Sequence, residues 1–211
     1  MVQHKYFLAL AVLVFITAVG QADIFRWDTG ELIPGTEGIV PRAHIRLTDW
    51  NSESHNLQYA DFSGIDLKLS DMDRSWLDFA DFRSANLTRA AFRGSVLANA
   101  NFSQAIIDRA NFSDTTSSGF TKEQLYSTAS YQAKDLYRIS LSFNDLSGWD
   151  FRDQDLGSTD FSGSGLANAD LTGAIIVSAD FSDTTSSGFT KEQLYSTASY
   201  QAKDLRRIRL S

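Results

Sequence analysis

Large apolar residues recur at every fifth position from Leu57 to Phe112 and again from Leu136 to Phe181, 22 in all, with none missing. Neither ordinary element has this period. Five residues of helix turn about 500°, which spreads the apolar positions around the axis. Five residues of strand are an odd number of two-fold steps, which alternates them between faces. All 22 can be buried together only if the chain turns a corner every five residues and aims each central residue at one shared axis. An internal period of this kind is the mark of a solenoid.

The flanking positions fit that reading. Two residues before the centre stands Ala, Ser or Thr in 15 of 22 units, small enough to sit beside a bulky neighbour in a narrow interior. One residue before the centre stands Asp or Asn in 15 of 22. Asx side chains bond the local backbone and favour turns. The unit therefore reads small, Asx, Leu or Phe, polar, variable. With four units per coil, Phe62, Phe82 and Phe102 would stack along one edge, and Met72, Phe92 and Phe112 along another.

Two segments depart from the period, 113–135 and 182–204. Each begins SDTTSSG, a polar loop, and continues FTKEQLYSTASYQAKD. Thr121 followed by Gln124 is a capping box, and Phe120 with Leu125 forms a hydrophobic staple. The signals predict a helix from about Lys122 to Ser130, ending before Tyr131. Phe189, Thr190, Gln193, Leu194 and Ala198 take the same roles in the second copy. Residues 112–136 and 181–205 are identical at an offset of 69, and 95–112 matches 164–181 at 10 of 18 positions. The chain reads as a tandem array of a 69-residue module. Three explanations of the identity stand open: recent copying of a gene segment, a shared structural task, or one surface presented twice. On the last, Tyr126, Tyr131, Tyr195 and Tyr200, taken as exposed, are the first suspects, since Tyr is enriched at interfaces.

A solenoid exposes apolar core and open backbone at its ends unless they are capped. Residues 23–54 precede the repeats. DIFRWDTGELIPGTEG reads as strand, turn at Asp28-Thr29-Gly30, strand, and a Pro34-Gly35 turn. The expectation is a hairpin whose Phe25, Trp27, Leu32 and Ile33 cover the first coil. Residues 205–211 form a partial repeat, so either the second insert caps that end or the module is shortened there.

The triplets ADF, ANL, ANF and ADL at 60–62, 85–87, 100–102 and 169–171 resemble the A(D/N)LXX unit of the pentapeptide-repeat proteins. The resemblance implies an all-β solenoid, a right-handed quadrilateral β-helix, here in blocks 55–112 and 136–181 with two inserted helices. The inserts and the DIFRWDTGELIPGTEG opening are similar to a secreted bacterial subgroup. Well-known family members mimic DNA and bind a topoisomerase, so the resemblance also implies that possibility.

Composition narrows the partners. Residues 1–22 carry Lys5, a 14-residue apolar run from Tyr6 to Val19, and small residues at Gly20 and Ala22. That is the layout of a secretory signal peptide, too short to span a bilayer comfortably, with an uncleaved anchor as the alternative. Cleavage would start the mature chain near Asp23. It would place the protein outside the cytoplasm, with no membrane span remaining. The acids outnumber Lys and Arg by 26 to 19. This disfavours nucleic acid and anionic membranes as partners. Block 1 is nearly neutral, with seven acids against six bases over 57–112; the second block holds seven against two over 136–181. There are no cysteines, hence no disulfide, thiolate or Cys-based zinc chemistry.

Candidate chemistry is thin. Asp61, Asp66, Asp71, Asp81, Asp145, Asp150, Asp155 and Asp160 all occupy the Asx position, which accounts for them without acid–base catalysis. A Ca2+ ladder along such an edge is the alternative use. His44, His55 and Asp49 have no diagnostic ligand spacing. Asn86, Asn101 and Asn111 match the glycosylation sequon but are also the Asx of their units. The reading is an exported, non-catalytic scaffold or interaction module with no cofactor and no catalytic residue. Its partner is a protein or other envelope or extracellular component, and the oligomeric state is open. A cytosolic topoisomerase-binding DNA mimic is the second reading, and a carbohydrate-active enzyme the third.

Overall fold

The structure is a computed structural model and describes residues 23–211. The expected signal peptide, 1–22, lies outside the described residues.

From Asp61 onward the chain pairs in parallel with itself 20 residues later: Asp61 with Asp81, Asp66 with Asn86, Asp71 with Ala91, Trp76 with Val96, and so on through Asp160 with Asp180. One bridge per five residues and a stagger of 20 define a parallel solenoid with four units to the coil. All 22 central residues are buried, as are the ten alanines at the small position. The two expected phenylalanine stacks are present, with ring centroids 5.2 Å (Phe62–Phe82), 5.0 Å (Phe82–Phe102) and 5.1 Å (Phe92–Phe112) apart.

The corner has a specific construction. In unit after unit the amide three residues past the centre donates to the central carbonyl, as Ala60 does to Leu57 and Ala85 to Phe82. The residue two past the centre adopts positive φ, which a type II turn requires at its third position. Glycine takes it at Gly64, Gly94, Gly148, Gly163 and Gly173, but Arg, Asn, Gln and Ser take it elsewhere, and so do the aromatics Tyr59, Phe79 and Phe143. The fifth position, variable by sequence, is therefore the one left-handed residue of each unit.

The N-terminal hairpin forms, with Phe25 bridging Leu32 and the Gly30 amide closing the turn on the Arg26 carbonyl. It lies on the solenoid edge, where Arg26 bridges Ala60. Its apolar faces differ from the expectation. Ile24 and Ile33 cover the core, joined by Leu47, while Phe25 and Trp27 stand 45% and 49% exposed. Strand alternation decides this: with Ile24 inward, Phe25 and Arg26 straddle the edge and hydrophobicity alone does not choose the face. The solenoid also starts earlier than position 55. Arg46 pairs with Asp71, 25 positions on, and His44 and Asp49 carry the same positive φ as the repeat corners. The extra residues form a tight antiparallel pair, β1 (Asn51–Ser52) with β2 (His55–Asn56). Arg46 where Asx usually stands hid this unit.

The inserts do not interrupt the coil. Asn111 pairs with Ser140, and Asp180 with Arg209, each 29 positions on. The insert is thus the remaining sides of one coil enlarged by nine residues. Leu97 and Gln104 in the coil before it still donate to Ser118 and Ser127, and Ala129 donates back to Ala105. Phe120 and Leu125 are buried in the solenoid core. The expected single helix is two: α1 (Lys122–Tyr126), with its capping box intact, and α2 (Ala129–Gln132). Thr128, in extended conformation, ends the first and caps the second through the Tyr131 amide. The second copy repeats this as α3 (Lys191–Ser196) and α4 (Ala198–Gln201). Residues 205–211 continue into the next side, Phe181 donating to the Arg209 carbonyl.

Candidate functional site

A cleft of about 630 Å3 lies where insert 1 meets the coil after it. Thr116, Phe120 and the start of α1, Lys122 and Glu123, form one wall; Phe143, Asp145 and Trp149 form the other. The geometry follows from the enlarged coil, whose extra residues overhang the next one. Asn144 fixes the joint. It is almost wholly buried at a position where the unit normally carries a small residue. Its carbonyl oxygen accepts from the amides of Thr115 and Thr116, and its amide nitrogen donates to the carbonyls of Phe112 and Leu141. The sequence signal was present, an Asn in a small-residue column, but had no evident partner.

On the adjoining side two tyrosines grip the following coil. Tyr126 accepts from the Asp150 amide, and Tyr131 donates to the Asp150 carbonyl at 2.8 Å. Burial raises both phenols, Tyr131 to about 12. These two are therefore not the exposed surface the sequence suggested. In the second copy Tyr195 and Tyr200 are 45% and 37% exposed. Identical segments thus present different surfaces.

Phe143 is the feature of the cleft that packing does not explain. It holds φ 59° and is 64% exposed. Its ring lies over Gly163, where an added Cβ would meet it at 2.8 Å. A bulky residue in the left-handed region is costly, and such local costs gather at functional positions.

The repeat aspartates do what their turns require. In each of the eight, Oδ1 accepts the amide two residues on, as Asp61 does from Ser63 and Asp160 from Ser162. Asn86, Asn101 and Asn111 make the same bond. The Arg152 guanidinium holds the Asp150 carboxyl below its ordinary value, and Ser147 does so for Asp145. His44, His55 and Asp49 are not brought together as a ligand set: Asp49 is held by Arg74 at 2.6 and 3.0 Å, and His55 packs on Trp50. Outside the Asx positions, Asp114 and Glu123 line the cleft, both exposed. They lack the contrasting environments that separate a general acid from a general base. No helix among the described residues is long and apolar enough to cross a membrane.

Twenty-residue coils, left-handed corners and Asx-bonded edges together define a parallel β-solenoid built from five-residue units. The family of pentapeptide repeats matches the chain in eight copies, over residues 56–89, 75–114 and 145–183. Over these residues the chain is built of that family's pentapeptide repeats. Among solved structures, it is similar to HetL, a pentapeptide repeat protein involved in heterocyst differentiation regulation from Nostoc sp. strain PCC 7120, at 19% identity, covering 80% of this chain and 84% of that one, TM-score 0.29. QnrB1, a plasmid-mediated fluoroquinolone resistance protein, is similar at 18% identity, 72% and 77% coverage, TM-score 0.24. A pentapeptide repeat protein from the Arabidopsis thaliana thylakoid lumen is similar at 20%, 66% and 86%, TM-score 0.24. At these values the likeness carries nothing about what this chain binds. A comparison with curated proteins finds no match.

Proposed function

We propose that the protein is an exported, non-catalytic scaffold, a right-handed quadrilateral β-helix that presents rigid surfaces to a partner of the cell envelope or extracellular space. One observation carries this reading. The repeat carboxylates are engaged by their own turns, while two bulky aromatics held at left-handed corners, Phe79 and Phe143, are exposed beside clefts. Turn-bound carboxylates build the solenoid; exposed aromatics on a rigid frame suit recognition. The layout of residues 1–22 supports export. Cell fractionation with N-terminal sequencing tests it. A new N-terminus near Asp23 in the exported fraction is expected. An intact Met1 in the cytosol would overturn the localisation.

A second reading, a topoisomerase-binding DNA mimic, draws on the acidity of 136–181. Several of those charges are compensated in place, Asp150 and Asp170 by Arg152 and Asp180 by Arg209. Inhibition of gyrase supercoiling by the purified protein would favour this reading over export.

A further inference from the structure

Between the N-terminal hairpin and the coils that carry Phe79 and Asn99 lies another cavity, of about 370 Å3. Its two walls differ in chemistry. One is aromatic: Trp27 and Phe79, 49% and 38% exposed. The other is polar: Arg83, Asn99 and Asn101. The aromatic wall is braced. The Trp27 indole N–H donates to the Phe79 carbonyl, and Tyr59 stacks on Phe79 at 4.8 Å with planes 4° apart. Arg26 lies over the other ring of that pair, 4.2 Å from the Tyr59 centroid. Phe79 holds φ 60°, yet its column neighbour one coil on, also left-handed, is Asn99. The corner thus accepts Asn, which suits that conformation better; the phenylalanine serves the cavity rather than the turn.

The polar wall retains bonding capacity. Asn101 spends its carbonyl oxygen on Ser103, leaving its amide N–H groups without a partner among the described residues. The Asn99 side chain makes no hydrogen bond there either. Arg83 neutralises Asp81 at 2.6 Å, so the wall carries no net charge.

We propose that this cavity binds a neutral oligosaccharide. A pyranose ring has one face of C–H groups, which the negative face of an aromatic ring attracts, and a rim of hydroxyls, which planar amides and a guanidinium can bond. The volume falls within the roughly 300–1,000 Å3 of small-ligand sites. An uncharged wall selects against anionic ligands. The inference stands on this cavity alone and does not require export, so its failure and the failure of the export reading are read from different experiments.

The test is titration of the purified chain with soluble neutral oligosaccharides, a β-linked glucose tetramer and a β-linked N-acetylglucosamine tetramer, followed by Trp fluorescence and calorimetry. Binding of at least one is expected, and Phe79→Asn should weaken it at least tenfold while leaving the melting temperature unchanged or raised. Trp27→Phe, which keeps a ring but loses the bracing N–H, should weaken it less. Binding by neither sugar would overturn the proposal. So would binding that Phe79→Asn leaves intact, or binding of a free aromatic compound such as indole in place of both sugars.

Discussion

The hydroxyl of Tyr131 donates to the Asp150 carbonyl at 2.8 Å, tying the last helix of insert 1 to the coil that follows. Tyr200, its counterpart in an identical segment, makes no side-chain hydrogen bond among the described residues and is 37% exposed. The duplication therefore supplies its own control. Tyr131→Phe should lower stability by about 0.5–1.5 kcal/mol, the net value of one such bond. Tyr200→Phe should change it by no more than a few tenths. Equilibrium urea unfolding of the two variants measures the difference, and equal effects would mean the Asp150 contact contributes nothing.

The same phenol makes stability fall at high pH. Burial pushes Tyr131 from the ordinary 10.0 to about 12, because the phenolate is poorly solvated beside Asp150. A raised folded-state value means that the folded protein holds its proton more tightly than the unfolded chain. The resulting stability is complete below pH 10 and is lost as pH climbs toward 12. Absorbance at 295 nm should show a late-ionising component near pH 12 that vanishes in Tyr131→Phe, while the raised Tyr126 phenol still ionises after the exposed tyrosines. A wild-type titration with no step near pH 12 would contradict the burial.

Asn144 is satisfied on both its amide atoms by four backbone groups from Phe112, Thr115, Thr116 and Leu141. Asn144→Ala restores the usual small residue but strands the Thr115 and Thr116 amides in a buried joint, while the Phe112 and Leu141 carbonyls keep the hydroxyls of Thr115 and Ser164. Loss on the order of 3 kcal/mol is expected, since unsatisfied buried groups cost about 1–3 kcal/mol each and water can enter part of the gap. Hydrogen exchange should quicken at the Thr115 and Thr116 amides before it does at Leu87. Uniform exchange would mean Asn144 does not hold the joint.

How far the sequence speaks depends on the scale at which a residue acts. The coil was legible because Leu57 to Phe112 bury by a strict period, and their stacks at 20-residue spacing follow from it. The eight aspartates were legible because an Asx turn is a contact over two residues. What escaped depends on longer range or on finer choices. Thr128 splits the helix because Ala129 bonds Ala105, 24 residues back. Trp27 faces outward because strand parity, not hydrophobicity, assigns the face. The corner φ was hidden because five glycines among many other residue types leave no composition signal at that column. Neither cleft was legible at all, as both arise where a coil is lengthened or overlain.

Phe120 and Phe143 separate the two roles that aromatic residues play here. Phe120 stacks on Phe112 at 4.7 Å and lies 6.0 Å from Trp149, inside the core. Were the insert an appended loop, Phe120→Ala would cost little. As a side of the coil it should cost about 3–5 kcal/mol, the range for a buried phenylalanine. Phe143, which lines the same cleft, is exposed at a left-handed corner. Phe143→Asn removes that conformational cost and should leave the melting temperature unchanged or raise it by a few degrees. If the proposed scaffold docks its partner in this cleft, the folded Phe143→Asn variant should lose it, which a co-purification reads against wild type. Retention of the partner by that variant would remove Phe143 from the interface, and a fall in its melting temperature would assign the ring to packing on Gly163 instead.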